Sequence, residues 1–129
     1  MIVLYDEGCG FCQWTVAWAL KRDTRDVLRP EAIQSPTGAR MLADLDPASR
    51  LQSMHVVHET GRRESGGAAL RAVLETLPST RLAARVLSRF PRTTDHGYAF
   101  VARHRRHFGR LTRTGLGSAW RRHRGYVRP

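Results

Sequence analysis

Residues 4–14 read LYDEGCGFCQW, from Leu4 to Trp14, and hold the only two cysteines of the chain. They stand three positions apart, after a short apolar run and before a helical pattern. Two thiols at that spacing can close a disulfide, share a metal or be accidental neighbours. The upstream run, MIVLY over Met1–Tyr5, is continuous, apolar and rich in β-preferring residues, so it reads as a buried strand. Downstream, Trp14, Val16, Ala17, Trp18 and Leu20 have the spacing of an apolar helix face that ends near Lys21–Asp23. Cys9 and Cys12 therefore fall at a strand-to-helix junction.

Working outward, DVLRPEAI (Asp26–Ile33) predicts a second strand. Pro30 cannot donate to a ladder and confines that strand to an edge or a bulge. SPTGARMLADLDP predicts a short helix entered through Ser35 and Pro36 and stopped before Pro47. MHVVHETGRRES (Met54–Ser65) predicts a hairpin that turns at Thr60-Gly61. Gly66 and Gly67 then lead into a helix with Leu70, Val73, Leu74 and Leu77 on one face, broken at Pro78 and Ser79. TRLAARVLSRF continues as an amphipathic helix up to Pro91, and a further helix is expected from Asp95 through YAFVARHRRHF. From Gly109 to Pro129 the composition is mostly Arg, Gly and Thr, which predicts a mobile basic tail. The order strand, helix, strand, helix, hairpin, helix calls for an α/β sandwich around a mixed sheet.

The chain has 129 residues and 41% hydrophobic content, the size of one globular domain with a single core. No stretch approaches the roughly 20 apolar residues of a membrane-crossing helix. The opening MIVLYDEG has acids where a secretory signal carries basic residues. A cytoplasmic location is the expectation, and there a C-x-x-C pair is catalytic, redox-active or metal-binding rather than a structural staple. The formal net charge is +11, only Lys21 is a lysine, and no acid follows Asp95. Arginine over lysine fits GC-rich codon usage. The uneven excess of bases is either a solvated face or the footprint of an anionic partner, nucleic acid or an acidic surface.

A thiol attacks as the thiolate, which a helix N-terminus stabilises through unpaired N–H groups and the positive end of the macrodipole. Cys9 is expected at or just before the first helical turn, facing outward, with Gly8 and Gly10 leaving the backbone open. Cys12 is expected one turn in and less accessible. The division of labour that follows makes Cys9 the nucleophile and Cys12 the resolving thiol. Asp6, at the end of the strand, either takes the proton of Cys12, directly or through water, or holds the loop through its N–H groups. Gly10, Phe11 and Trp14 are the candidate substrate contacts. Phe11 offers an apolar landing point or folds back onto the later helices, and Trp14 lies at the core or rim of the helix and shields the disulfide.

LYDEGCGFC resembles the signature of the thiol–disulfide oxidoreductase family named for its Asp-Cys-Cys motif (DCC). The resemblance continues through LRPEAIQSPTGARML, the hairpin leading to SGGAALRAVL, and FPRTTDHGYAFVARHRRHFG, so it covers roughly Ile2 to Gly109. It implies a thioredoxin-like mixed sheet flanked by helices, with a C-terminal helical extension, and Asp6, Cys9 and Cys12 as the named residues. On that reading residues 1–78 form the thioredoxin-like domain, residues 79–109 the packed extension and residues 110–129 the basic tail. Glu7-Gly8 departs from the Gly-x order common in the family. Thioredoxin itself carries a proline just before its third strand, whereas RLQSMHVV has none beside Met54, and none lies within the C-x-x-C. The substrate surface is thus expected to differ from thioredoxin's. No cofactor is called for. The partners are a disulfide-bearing protein or small thiol substrate and a dithiol reductant.

Two rival readings remain on the sequence. A zinc site needs histidines beside the cysteines. His55 and His58 lie on a strand, where residues three apart face opposite ways, while His104 and His107 share a helix face within an arginine run. Gln13 stands where a C-x-x-C-H haem attachment needs histidine. The other rival is a non-catalytic binding module whose tail meets nucleic acid or an anionic surface, with Phe108, Trp120 and Tyr126 set among arginines.

Overall fold

The computed structural model describes the backbone of residues 1–111 and the side chains of residues 1–105. Among the described residues, four strands, β1 (Ile2–Tyr5), β2 (Arg29–Ala32), β3 (His55–Val57) and β4 (Arg63–Ser65), form one sheet in the order β2-β1-β3-β4. β1 runs parallel to β2 and antiparallel to β3, and β3 pairs antiparallel with β4. Six α-helices accompany them: α1 (Gly10–Arg22), α2 (Pro36–Met41), α3 (Pro47–Arg50), α4 (Gly66–Thr76), α5 (Arg81–Arg89) and α6 (Pro91–Leu111). This is the mixed, helix-flanked sheet of a thioredoxin-like α/β fold, as the sequence led us to expect.

β1 is apolar throughout because it is covered on both faces. Val3 and Tyr5 join Val16, Leu20, Val56, Val73 and Leu77 in a core on the side of α1 and α4. Leu4 joins Ile33 and Leu42 on the side of α2. Pro30 sits on the outer strand β2 opposite Val3, where its missing N–H costs no ladder bond. The hairpin turns where predicted. Gly61 takes φ +80°, and the His58 N–H donates to the Arg62 carbonyl at 2.9 Å.

Boundaries move where capping chemistry outweighs periodicity. Strand β2 is shorter than Asp26–Ile33, and Asp26 occupies the left-handed region at φ 51° in the turn before it. Pro47, expected to end a helix, instead begins α3 with Asp46 as N-cap. Likewise α6 starts at Pro91, four residues before Asp95. There the buried Thr94 hydroxyl donates to the carbonyls of Leu87 and Phe90 at the α5–α6 corner. Helix α6 continues two residues beyond Gly109, and the remaining tail lies outside the described residues.

The long helix then returns across the molecule and packs on both α1 and α4. Gly67 makes this possible. A Cβ there would lie 2.2 Å from Asp95 Oδ1 and 3.2 Å from Asp95 Cα.

Candidate active site

The chain leaves β1 at Asp6 and turns at once into α1. The Asp6 carbonyl accepts the Cys9 N–H at 3.2 Å, and its Oδ1 accepts the Gly8 N–H at 2.9 Å. Gln34, just beyond β2, holds the turn from outside. Its Nε2 donates to Asp6 Oδ1 at 2.6 Å, and its Oε1 accepts the Glu7 N–H at 3.2 Å. The Gln13 side chain closes the loop by donating to the Glu7 carbonyl.

Cys9 is the N-cap of α1. Its Sγ accepts the Cys12 N–H at 3.2 Å, in the place where a Ser or Asp oxygen commonly caps a helix. The sulfurs of Cys9 and Cys12 are joined as a disulfide, with Cα atoms 5.2 Å apart. Both cysteines are half-buried, so overall exposure does not set one apart from the other. Their neighbours do. Cys9 has the cap N–H, while Cys12 Sγ lies 3.9 Å from Arg105 Nη1 of α6.

Arg105 is the residue that sequence reading missed. Its guanidinium stands 3.7 Å from Asp6 Oδ2 and donates to the Leu51 carbonyl, bridging the two sides of the site. Only 18% of the Arg105 side chain and 16% of that of Asp6 are exposed, so water screens this pair less than a surface pair. Seven residues earlier on α6, the Tyr98 hydroxyl accepts the Met54 N–H at 2.8 Å. Burial pushes the Tyr98 phenol above the ordinary tyrosine range, against the downward pull of the Met54 N–H. A signal for Arg105 was present. Tyr98, Val101, Ala102 and Arg105 follow the i, i+3, i+4, i+7 spacing of one helix face, so the arginine shares the face of the packing residues.

Beneath α6 a cavity of about 190 Å³ opens beside Cys12. Phe11, Val16, Met54, Leu70 and Val101 line it, and Asp6 and Arg105 supply its charges. Phe11 therefore faces the space that α6 closes. Its ring stacks on Trp14 at 6.2 Å between centroids, and Trp14 is 41% exposed at the outer rim. Gly10 is the first residue of α1, half-buried between the cysteine cap and Phe11. A more open hollow of about 740 Å³ shares Ser53, Tyr98, Ala102 and Arg105 with the cavity but reaches neither cysteine.

Of the described histidines, His55, His58 and His104 make their contacts with other groups. Both ring nitrogens of the buried His55 are occupied, Nδ1 by Ser65 Oγ at 2.7 Å and Nε2 by the Arg50 carbonyl at 3.0 Å. His58 lies 3.5 Å from Glu64 Oε1. His104 Nδ1 meets the Phe100 carbonyl at 2.8 Å, and the side chains of His107, Phe108, Trp120 and Tyr126 lie outside the described residues. Among the described residues no three His, Cys, Asp or Glu side chains are grouped to hold a metal ion, and no helix is long and apolar enough to cross a membrane.

A family model described as DCC1-like thiol-disulfide oxidoreductase matches residues 3–111. No curated protein and no solved structure matches the chain.

Proposed function

Because the chain belongs to the DCC1-like thiol-disulfide oxidoreductase family, we propose that it transfers two electrons to a substrate disulfide through the Cys9–Cys12 couple. The observation that carries this reading is the Cys9 sulfur at the mouth of α1, accepting the Cys12 N–H and within bonding reach of the second sulfur. A developing thiolate on Cys9 meets helix N–H groups there instead of bulk water alone.

In the reduced protein the Cys9 thiolate attacks one sulfur of the substrate. The substrate S–S bond breaks, a mixed disulfide forms on Cys9, and the first substrate thiolate leaves. The Cys12 thiolate then attacks Cys9 Sγ, which forms the Cys9–Cys12 bond and expels the second thiolate. Both released thiolates take up solvent protons, and a dithiol reductant returns the pair to the reduced state. Arg105 faces Cys12 and favours its thiolate at the second step. Asp6 holds the loop N–H groups through Oδ1 and positions Arg105 through Oδ2. It lines the same cavity as Cys12 and is the carboxylate assigned to take the Cys12 proton.

Phe11 and the adjoining cavity give an apolar group of the substrate a place beside the sulfurs, with Gly10 and Trp14 at its approach. The substrate is a small disulfide or an exposed protein disulfide. Tyr98 already holds the Met54 N–H, so an extended peptide has no free donor at the head of β3. A reducing compartment such as the cytoplasm suits the cycle, since dithiol reductants are maintained there.

Trapping tests the reading. With Cys12→Ser, a disulfide substrate should remain attached to Cys9 as an adduct that dithiothreitol releases, whereas Cys9→Ser should accumulate none. Equal adducts on both variants, or none on either with any disulfide, would overturn it.

A further inference from the structure

Helix α5 carries an apolar ridge on the side turned away from the protein. Leu82 and Val86 on the helix and Phe90, the cap residue just past its end, follow one another at four-residue intervals and are 75%, 54% and 62% exposed. The side of α5 that faces α4 is made instead by the fully buried Ala84 and the half-buried Leu87, with Ser88 donating to Glu75 Oε1. A surface helix normally turns its polar residues outward. Here the outward ridge is aliphatic and aromatic, and the neighbouring ridge is Arg81, Arg85 and Arg89, all exposed. No acid occurs between Glu75 and Asp95, so nothing on α5 or the following corner neutralises those cations.

We infer that α5 is a docking surface for an anionic lipid bilayer, on which the helix lies flat. Leu82, Val86 and Phe90 enter the boundary between headgroups and acyl chains, while the arginines meet lipid phosphates. Each half of the feature points to this partner. A strip of three apolar side chains on one convex ridge needs a fluid apolar medium that conforms to it, and supplies no groove for a folded protein. Flanking cations of one sign require a partner that is anionic over a wide area, and arginine suits phosphate oxygens. Nucleic acid would satisfy the arginines but leave two aliphatic side chains in water. A second copy of this chain would bring arginine against arginine. The surface stands on exposures and charges of α5 alone, independently of the cysteine chemistry and of residues 112–129.

Sedimentation of the full chain with vesicles tests the inference. Phosphatidylcholine vesicles containing phosphatidylglycerol should pellet the protein, and vesicles of phosphatidylcholine alone should pellet far less. The double variant Leu82→Ser/Phe90→Ser should lower the partition coefficient at least about tenfold by removing the inserted apolar area. Arg85→Gln/Arg89→Gln should lower it by a comparable factor and flatten its dependence on salt. Thermal melting should be nearly unchanged in both, because these side chains already face water.

Absence of binding to anionic vesicles at physiological ionic strength overturns the inference. So does binding that survives Leu82→Ser/Phe90→Ser, which would assign it to simple charge attraction elsewhere on the chain. Loss of a self-associated form, or of oligonucleotide binding, in those variants without any vesicle binding would give the ridge to that other partner.

Discussion

Sulfur at a helix N-cap receives a weaker hydrogen bond than oxygen would, so Cys9 is a poor choice for helix stability alone. Its placement makes sense if the sulfur spends part of its cycle as an anion, when the same N–H becomes a charge-assisted donor. Cys12 has a different source of stabilisation, the guanidinium 3.9 Å away on α6. Arg105→Gln keeps a polar side chain but removes that charge. In a stopped-flow assay the first attack on a substrate disulfide should hardly change, while release of the second thiolate slows about tenfold, a modest share of a partly screened charge contact. Slowing of both steps alike would show Arg105 acting on the loop instead of on Cys12. Asp6→Asn separates the two readings of that carboxylate. As loop organiser, Asp6 leaves a pH–rate profile of unchanged shape and the variant is uniformly slower. As proton acceptor, its loss removes the acid limb of the resolving step.

At the scale of elements, the site depends on how closely α6 lies on α4. Gly67→Ala puts a methyl group 2.2 Å from Asp95 Oδ1, an oxygen that Arg71 holds at 3.3 Å, and 3.2 Å from the Asp95 Cα. The variant should lose about 1–3 kcal/mol by urea unfolding, as overpacked contacts do. Its displaced α6 should also free Cys12 in the reduced protein for faster alkylation and expose α6 to limited proteolysis. Unaltered alkylation with full stability would mean that the two helices can part there without consequence. Helix α6 also marks where sequence reading stopped. The aromatic and aliphatic residues Tyr98, Phe100 and Val101 suggest packing on the domain; Tyr98 and Val101 do line the space over it, whereas Phe100 is 58% exposed because it falls on the opposite side of the helix. Nothing in the pattern said that the face of Tyr98 and Val101 lies over the cysteines, and Arg105 was absorbed into the basic run RHRRHF.

Across the whole molecule, two ion and hydrogen-bond clusters fix the sheet to the segment between α2 and β3. Arg63 of β4 holds Asp44 with bonds of 2.6 and 2.5 Å, and hydrogen bonding to Arg63 lowers the Asp44 carboxyl to about 2. His55 of β3 joins the Arg50 carbonyl to Ser65. Because that carbonyl can only accept, Nε2 carries the proton and Nδ1 accepts from the serine hydroxyl. Burial lowers the His55 pKa below its ordinary 6.5, with the nearby Arg63 adding to the effect and the Arg50 carbonyl opposing it. The unfolded chain therefore binds a proton at this residue before the folded one does. Stability should be complete above about pH 6.5 and fall as the pH drops below it. Asp44 adds a second loss at lower pH, between its ordinary carboxylate value and about 2. Urea midpoints at pH 7.5 and pH 5.5 (about one pH unit either side of free imidazole) check the first loss. Wild type should be less stable at the lower pH, and His55→Gln should show much less of this difference despite a lower stability throughout. An equal drop in both would place the titrating group elsewhere.

What the sequence determined by itself was local: the buried strand at Met1–Tyr5, the cysteine pair at the head of a helix, the edge or bulge to which Pro30 confined the second strand, and the hairpin turning at Thr60-Gly61. Each follows from the covalent neighbours of a few residues, through side-chain periodicity, a missing N–H or an allowed φ. Tertiary structure alone decided that α6 folds back to bring Arg105 against Cys12, 93 positions away, and Tyr98 against Met54. It also left the ridge of α5 facing outward. A helix pattern records which face is apolar, but which surface covers that face is settled by packing among distant elements, and periodicity carries no address for it.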